Sequence, residues 1–166
     1  MLRTTLCLVF ACVCLAGAQA QSSWADSIEV VEAGIYAVDR IKSVDDPNLA
    51  AGRRNVSEMR FIQETREVPA RVGVSFGFRY RVVGQNPGSS VSLKLITRFP
   101  PEGLRNPART ETQYRDDYML SPVVGQDTIT AYTFEAPWEA VPGVWAFEIW
   151  QGNRKLAEQT FNVYPQ

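Results

Sequence analysis

The chain has 166 residues, 17 Lys+Arg against 18 Asp+Glu, no His, 10 Pro, 11 Gly and 45% hydrophobic residues. One domain accommodates that length, and the hydrophobic share is that of a globular rather than a disordered chain. A formal charge of −1 supplies no basic face to neutralise phosphates and argues against a nucleic-acid partner, while the absence of His removes imidazole bases, His-based triads and His-ligated metals.

The first element in chain order is an address. Met1-Leu2-Arg3 sets one positive charge ahead of an apolar run from Leu6 to Ala18, and Ala18-Gln19-Ala20 places small residues at −3 and −1. This layout predicts a signal peptide over residues 1–20 with cleavage after Ala20. The run is too short for a spanning helix, and no later stretch compensates, so no transmembrane segment is expected. The expected product is a domain over residues 21–166, periplasmic or secreted. Cys7, Cys12 and Cys14 all lie in the removed segment, leaving neither disulfide nor thiol in an oxidising compartment. Lipidation at Cys12 or Cys14 is disfavoured: Phe10 is bulky where a lipobox wants a small or β-branched residue, and Val13 stands where a small one is required.

The remaining pattern has period two. Ile28 to Val38 carries a β-branched cluster. Asp46-Pro47-Asn48-Leu49-Ala50-Ala51-Gly52 has the N-cap, N1 proline and terminal glycine of one helical turn. Val56 to Thr65 alternates again. From Val72 to Val82 the alternate positions read Val72, Val74, Phe76, Phe78, Tyr80, Val82, which predicts a strand with one buried face and a bend or bulge near Gly77. Gln85-Asn86-Pro87-Gly88 predicts a turn, Val91 to Leu95 a strand, and Pro100-Pro101-Glu102-Gly103 an interruption. Ile129 to Phe134, Val144 to Gln151 and Leu156 to Val163 complete the set, the last two joined by a hairpin at Gln151-Gly152-Asn153-Arg154. The pattern predicts an all-β fold, an antiparallel immunoglobulin-like sandwich of seven or eight strands.

For catalysis only carboxylates remain. Asp116-Asp117 is the densest pair, yet adjacent strand residues point to opposite faces and do not share a proton; Tyr114 to Tyr118 reads as a solvated loop or edge strand. No Ser elbow, calcium loop or phosphate-binding glycine loop is present. No catalytic residue, metal ligand or cofactor is therefore assigned. The binding candidates are aromatic and small residues. Trp145 alternates with Phe147 and Ile149 and reads as core, whereas Trp150 faces the other way and Trp138 sits in a loop; outward tryptophans stack on sugars or plug partner pockets. Gly73, Ser75 and Gly77, ending in Arg79 and Arg81, form a strip of small residues on the polar face of the long strand, with Trp150 a suitable cover. Arg53-Arg54 reads as a solvated basic pair, and Asn55-Val56-Ser57 matches a glycosylation acceptor.

Ala70 to Tyr80, Pro137-Trp138-Glu139-Ala140-Val141-Pro142-Gly143-Val144-Trp145 and Lys155-Leu156-Ala157-Glu158-Gln159-Thr160-Phe161 resemble the bacterial domain-of-unknown-function family 3859, from about Ile28 to Val163. The resemblance implies one exported all-β domain of bacterial origin and carries over no catalytic or binding residue. The expected function is a non-catalytic binding or accessory module for an envelope protein or glycan. The alternatives are a carboxylate-dependent hydrolase with a loop cleft around Glu102, Asp116 and Asp117, and a structural protein pairing through an edge strand.

Overall fold

The computed structural model describes residues 24–166, apart from the side chains of residues 40–44 and 53–57. The leader with its cysteines and cleavage site lies outside the described residues, as do the side chains of Arg53, Arg54, Asn55 and Ser57. Nine strands are described: β1 (Ser27–Asp45), β2 (Arg53–Glu64), β3 (Glu67–Pro69), β4 (Ser75–Val83), β5 (Leu93–Arg98), β6 (Arg115–Leu120), β7 (Asp127–Thr133), β8 (Gly143–Gln151) and β9 (Arg154–Tyr164). They form two layers, ordered β2-β1-β4-β7 and β3-β9-β8-β5-β6. Every pairing is antiparallel except β3 on β9. The fold is the immunoglobulin-like sandwich that the alternation predicts.

The core is where the two alternating patterns meet. Phe76, Phe78, Tyr80 and Val82 of β4 face Trp145, Phe147 and Ile149 of β8, all buried. The Phe76 ring sits 5.6 Å from Trp145, 5.7 Å from Phe147 and 5.4 Å from Phe161, each edge-on, the arrangement that ring quadrupoles favour. Trp145 also donates its Nε1–H to Val141 O at 3.0 Å.

The nine strands exceed the expected seven or eight through the three-residue β3 and through β6, the segment read as a loop or edge strand. The long strand begins at Ser75 rather than Val72, because Val72 and Gly73 form a turn with Gly73 at φ 89°. The bulge falls not at Gly77 but in the neighbouring strand, between Val30 and Glu32. Asp46–Gly52 forms successive turns rather than a helical turn: Asn48 N–H binds the Asp46 carboxylate, and Gly52 N–H closes on Leu49 O. The Gln151–Arg154 hairpin turns through Gly152 at φ 59°, a role open to glycine.

One feature departs from a plain sandwich. β4 pairs with β1 only as far as Tyr36, whereas β1 and β2 continue against each other to Asp45 and Arg53. The two strands form a hairpin arm that projects past its own sheet. Bulges at Ile35/Tyr36 and Val38/Arg40 bend it, and its tip, residues 46–52, reaches the opposite sheet.

Candidate functional site

The arm roofs a cleft at one open side of the sandwich, between the edge strands β6 and β7. Thr97, Asp116 and Tyr118 line it from the second sheet, and Ala131, Tyr132 and Thr133 from β7. Glu135 and Glu139 enter from the β7–β8 connection, and Leu49, Ala51 and Met59 hang from the arm. The enclosed volume is about 80 Å³, roughly half of a 150 Å³ cavity able to hold benzene.

Strand geometry sets its chemistry. Thr97 and Asp116 are register partners and share the inward face, so Asp116 is only 6% exposed. Its Oδ1 accepts the Ala50 N–H at 2.8 Å, while Asn106 Nδ2 donates to Ala50 O at 2.7 Å. Arg109 and Gln113 hold Pro47 O and Asn48 O. The arm tip is thus gripped through its backbone by four side chains from residues 106–116. Burial pushes the Asp116 carboxyl up to about 6, against the Ala50 N–H and Arg109 but helped by Asp117 and Asp46. Glu139, 1% exposed, turns back so that Oε2 accepts the N–H groups of Glu135 and Ala136 at 2.5 and 3.3 Å. That fixes the short 3-10 turn Pro137–Glu139. Among the described residues no group of three or more Asp, Glu, His or Cys side chains is placed to hold a metal ion.

The sequence-predicted residues fall elsewhere, with one exception. Asp117 points outward to Lys94 at 2.8 Å, which holds its carboxyl below the usual range. Glu102 is exposed in the turn after Pro101, so of the three carboxylates expected to share a cleft only Asp116 lines it. The small-residue strip is not an open shelf. Ser75 and Gly77 are buried, Ser75 Oγ lies 2.7 Å from Thr133 Oγ1, and a Cβ on Gly77 would fall 2.1 Å from Thr130 O. The close strand β7 fills the strip at Ser75 and Gly77, Gly73 lies exposed in the preceding turn, and Trp150 belongs to the other sheet and does not cover the strip. Arg79 and Arg81 are engaged by Glu32 and Asp127. Trp138 lies half-buried against the core in the 3-10 turn. Trp150 donates Nε1–H to Glu148 at 2.8 Å under the Lys155 ammonium, 5.6 Å from its ring.

Glu135, Glu139, Thr97 and the roof residues escaped the sequence reading. A glutamate three residues after Ala136 has capping-box spacing, the one local signal available; Asp116 and Ala50 meet across a sequence distance that no local pattern spans.

An immunoglobulin-like sandwich with a roofed cleft at its open side is the class that this geometry defines. Over residues 25–163 the chain matches the family described as domain of unknown function (DUF3859), and it belongs to that family. It is similar to the crystal structure of an immunoglobulin-like protein from Pseudomonas aeruginosa, at 30% identity and a TM-score of 0.53, covering 89% of this chain and 100% of that one. No curated protein matches the chain. Among the described residues no helix is long and apolar enough to cross a membrane.

Proposed function

We propose that the protein is an exported, non-catalytic binding module whose site is the cleft under the β1–β2 arm, and that its partner is an envelope protein. The observation that carries this reading is the roof: the cleft lies between two sheet edges and is closed by a hairpin whose tip is held through backbone groups. The space beneath that roof is lined by Asp116, Glu135 and Glu139. The size favours a protein over a glycan. About 80 Å³ is well below the ~300–1,000 Å³ of clefts that enclose a whole small molecule, and suits a single protruding side chain.

A photo-crosslinking residue at Met59, in the roof, tests the assignment in the native envelope. One identified partner captured from position 59, and not from Asn153 in the distant hairpin turn, is the expected result. Equal capture from both positions, or none from 59, overturns it. Mass measurement of the same purified chain reads the leader: a mature product beginning at Gln21 supports export.

The second reading is catalysis by carboxylates. It is favoured by Asp116, whose carboxyl is raised to about 6 in a space shared with Glu135 and Glu139, the range of a general acid. Hydrolysis of ester or glycoside substrates by the purified chain, abolished in Asp116→Asn, would displace the binding reading.

A further inference from the structure

We propose that the free edge of β1, from Ser27 to Glu32, is a docking lane for an extended segment of another protein in which apolar residues alternate with Lys or Arg. This surface lies at the end of β1 away from the arm tip and is independent of the cleft.

The lane exists because β2 is displaced along β1. β4 pairs with β1 from Ser27 to Tyr36, but β2 joins the opposite edge only from Gly34 onward, and Thr65 N–H takes Ala33 O at 3.4 Å. Among the described residues no strand pairs with Ser27 to Glu32 on that edge, which keeps open N–H and C=O groups, the template on which an added strand pairs. The other layer leaves the same side open. There β3 covers β9 only from Asn162 to Tyr164, and Arg154 at the start of β9 reaches Asp26 O at 3.4 Å.

Exposure marks the empty lane. Ile28 and Val30 are register partners of Val82 and Tyr80, which are fully buried, so both face the core side of the sheet. Val30 is nonetheless 39% exposed and Val31, at the bulge, 48%, because β2 does not continue beside them. Apolar residues at alternate positions of an added strand close over Val30 from that side.

Charge defines the other face. On the outer side of the sheet the row Asp127, Arg81, Glu29 crosses β7, β4 and β1 with alternating sign, and Arg81 is held by Asp127 at 2.7 Å. Glu32 stands opposite Arg79 in the same way and holds it at 2.8 Å. Glu29 is exposed, and no ion pair engages it among the described residues. The next strand in that row therefore meets a carboxylate, and across paired strands opposite charges stabilise whereas like charges do not. A second copy offers the wrong sign, since its own edge brings Glu29 and Glu32 against the same two residues. The bulge at Val31 interrupts the ladder, which fits a short peptide segment and not a long sheet-to-sheet contact.

The test adds three capped six-residue peptides to the purified chain at equal concentration: alternating lysine and valine, alternating glutamate and valine, and three lysines followed by three valines. It follows amide resonances and hydrogen exchange along β1, together with native mass against protein concentration. The expected result is a saturable response to the alternating lysine–valine peptide alone, with shifts and slowed exchange centred on Ser27 to Glu32. Glu29→Lys, at an exposed position, should weaken that response about tenfold and create one to the glutamate–valine peptide. A response to the block peptide as large as to the alternating one reduces the effect to general charge attraction and overturns the lane. Equal binding of both alternating peptides overturns the basic partner. A concentration-dependent dimer that protects Ser27 to Glu32 replaces that partner with a second copy and overturns the assignment. Silence towards all three peptides overturns it as well. None of these outcomes touches the capture from Met59 that tests the cleft.

Discussion

Asp116 accepts the backbone N–H of Ala50 at 2.8 Å, so an inward carboxylate of one sheet holds the tip of a hairpin rooted in the other. The bond fastens the roof of the cleft, and its acceptor is a buried carboxyl raised to about 6.

This arrangement makes stability depend on pH in a direction opposite to most carboxylates. The Asp116 carboxyl is raised from 3.8 to about 6 in the fold, so the native state holds a proton that the unfolded chain releases between those values. The contribution is favourable below about pH 4 and is lost as pH rises through 6. At 1.36 kcal/mol per unit this amounts to about 3 kcal/mol at most. Asp116→Asn keeps an oxygen for the Ala50 N–H and removes the titration. Its stability relative to the parent chain should climb by about 2–3 kcal/mol between pH 4 and pH 7 in urea unfolding. A difference that stays constant across that range contradicts the assignment.

Asn106 holds the other end of the same peptide unit, donating Nδ2 to Ala50 O at 2.7 Å. Asn106→Ala removes that donor and should cost about 1 kcal/mol. The telling effect is local. Amide exchange at Ala50 and Gly52 should accelerate about tenfold or more, while amides of β4 and β8 keep their protection. Uniform acceleration across the domain would mean that the arm and the sandwich open as one unit.

Glu148 behaves in the ordinary carboxylate sense. Burial works to raise it, but Arg98 at 2.8 Å, the Trp150 N–H at 2.8 Å and the Lys155 charge together hold it below its usual range. Its stabilisation is therefore present above the unfolded value and lost as pH falls through the lowered one. Glu148→Gln should cost about 1.5–3 kcal/mol at pH 7, the range for hydrogen bonds to a charged group. That cost should shrink as pH falls through the lowered Glu148 titration, with a change in Trp150 fluorescence at pH 7. Persistence of the full cost in acid would show that shape, not charge, holds the cluster.

The layers were legible because their signal is local. Phe76, Phe78, Tyr80 and Val82 announce a buried face within seven residues, and Trp145, Phe147 and Ile149 do so within five; both sets are buried and in contact. The cleft was not legible because its parts are polar and distant. Asp116 occupies an inward strand position, where a hydrophobe is expected, because the arm tip needs an acceptor there. That need arises only after β1 and β2 have been extended past β4. The neighbour of the strip at Ser75 and Gly77 was hidden for a related reason. Small residues signal a close neighbour, but only the sheet order shows that the neighbour is β7.

Glycines 73 and 77 separate two costs that sequence alone treats alike. At Gly77 a Cβ would sit 2.1 Å from Thr130 O and 2.5 Å from Ala131 Cα, both backbone atoms of β7. Relief then requires moving a strand that also walls the cleft. At Gly73 a Cβ meets nothing within 4 Å, and the penalty is the positive φ of 89°, on the order of 1–2 kcal/mol for a non-glycine residue. Gly77→Ala should cost about 3 kcal/mol or more, in the range of disrupted packing, and should shift the amide resonances of Ala131 to Thr133. Gly73→Ala should lower the urea midpoint modestly and leave those resonances in place. Equal costs at the two positions would show that β7 yields readily, and a yielding β7 could not serve as the rigid wall against which the arm closes.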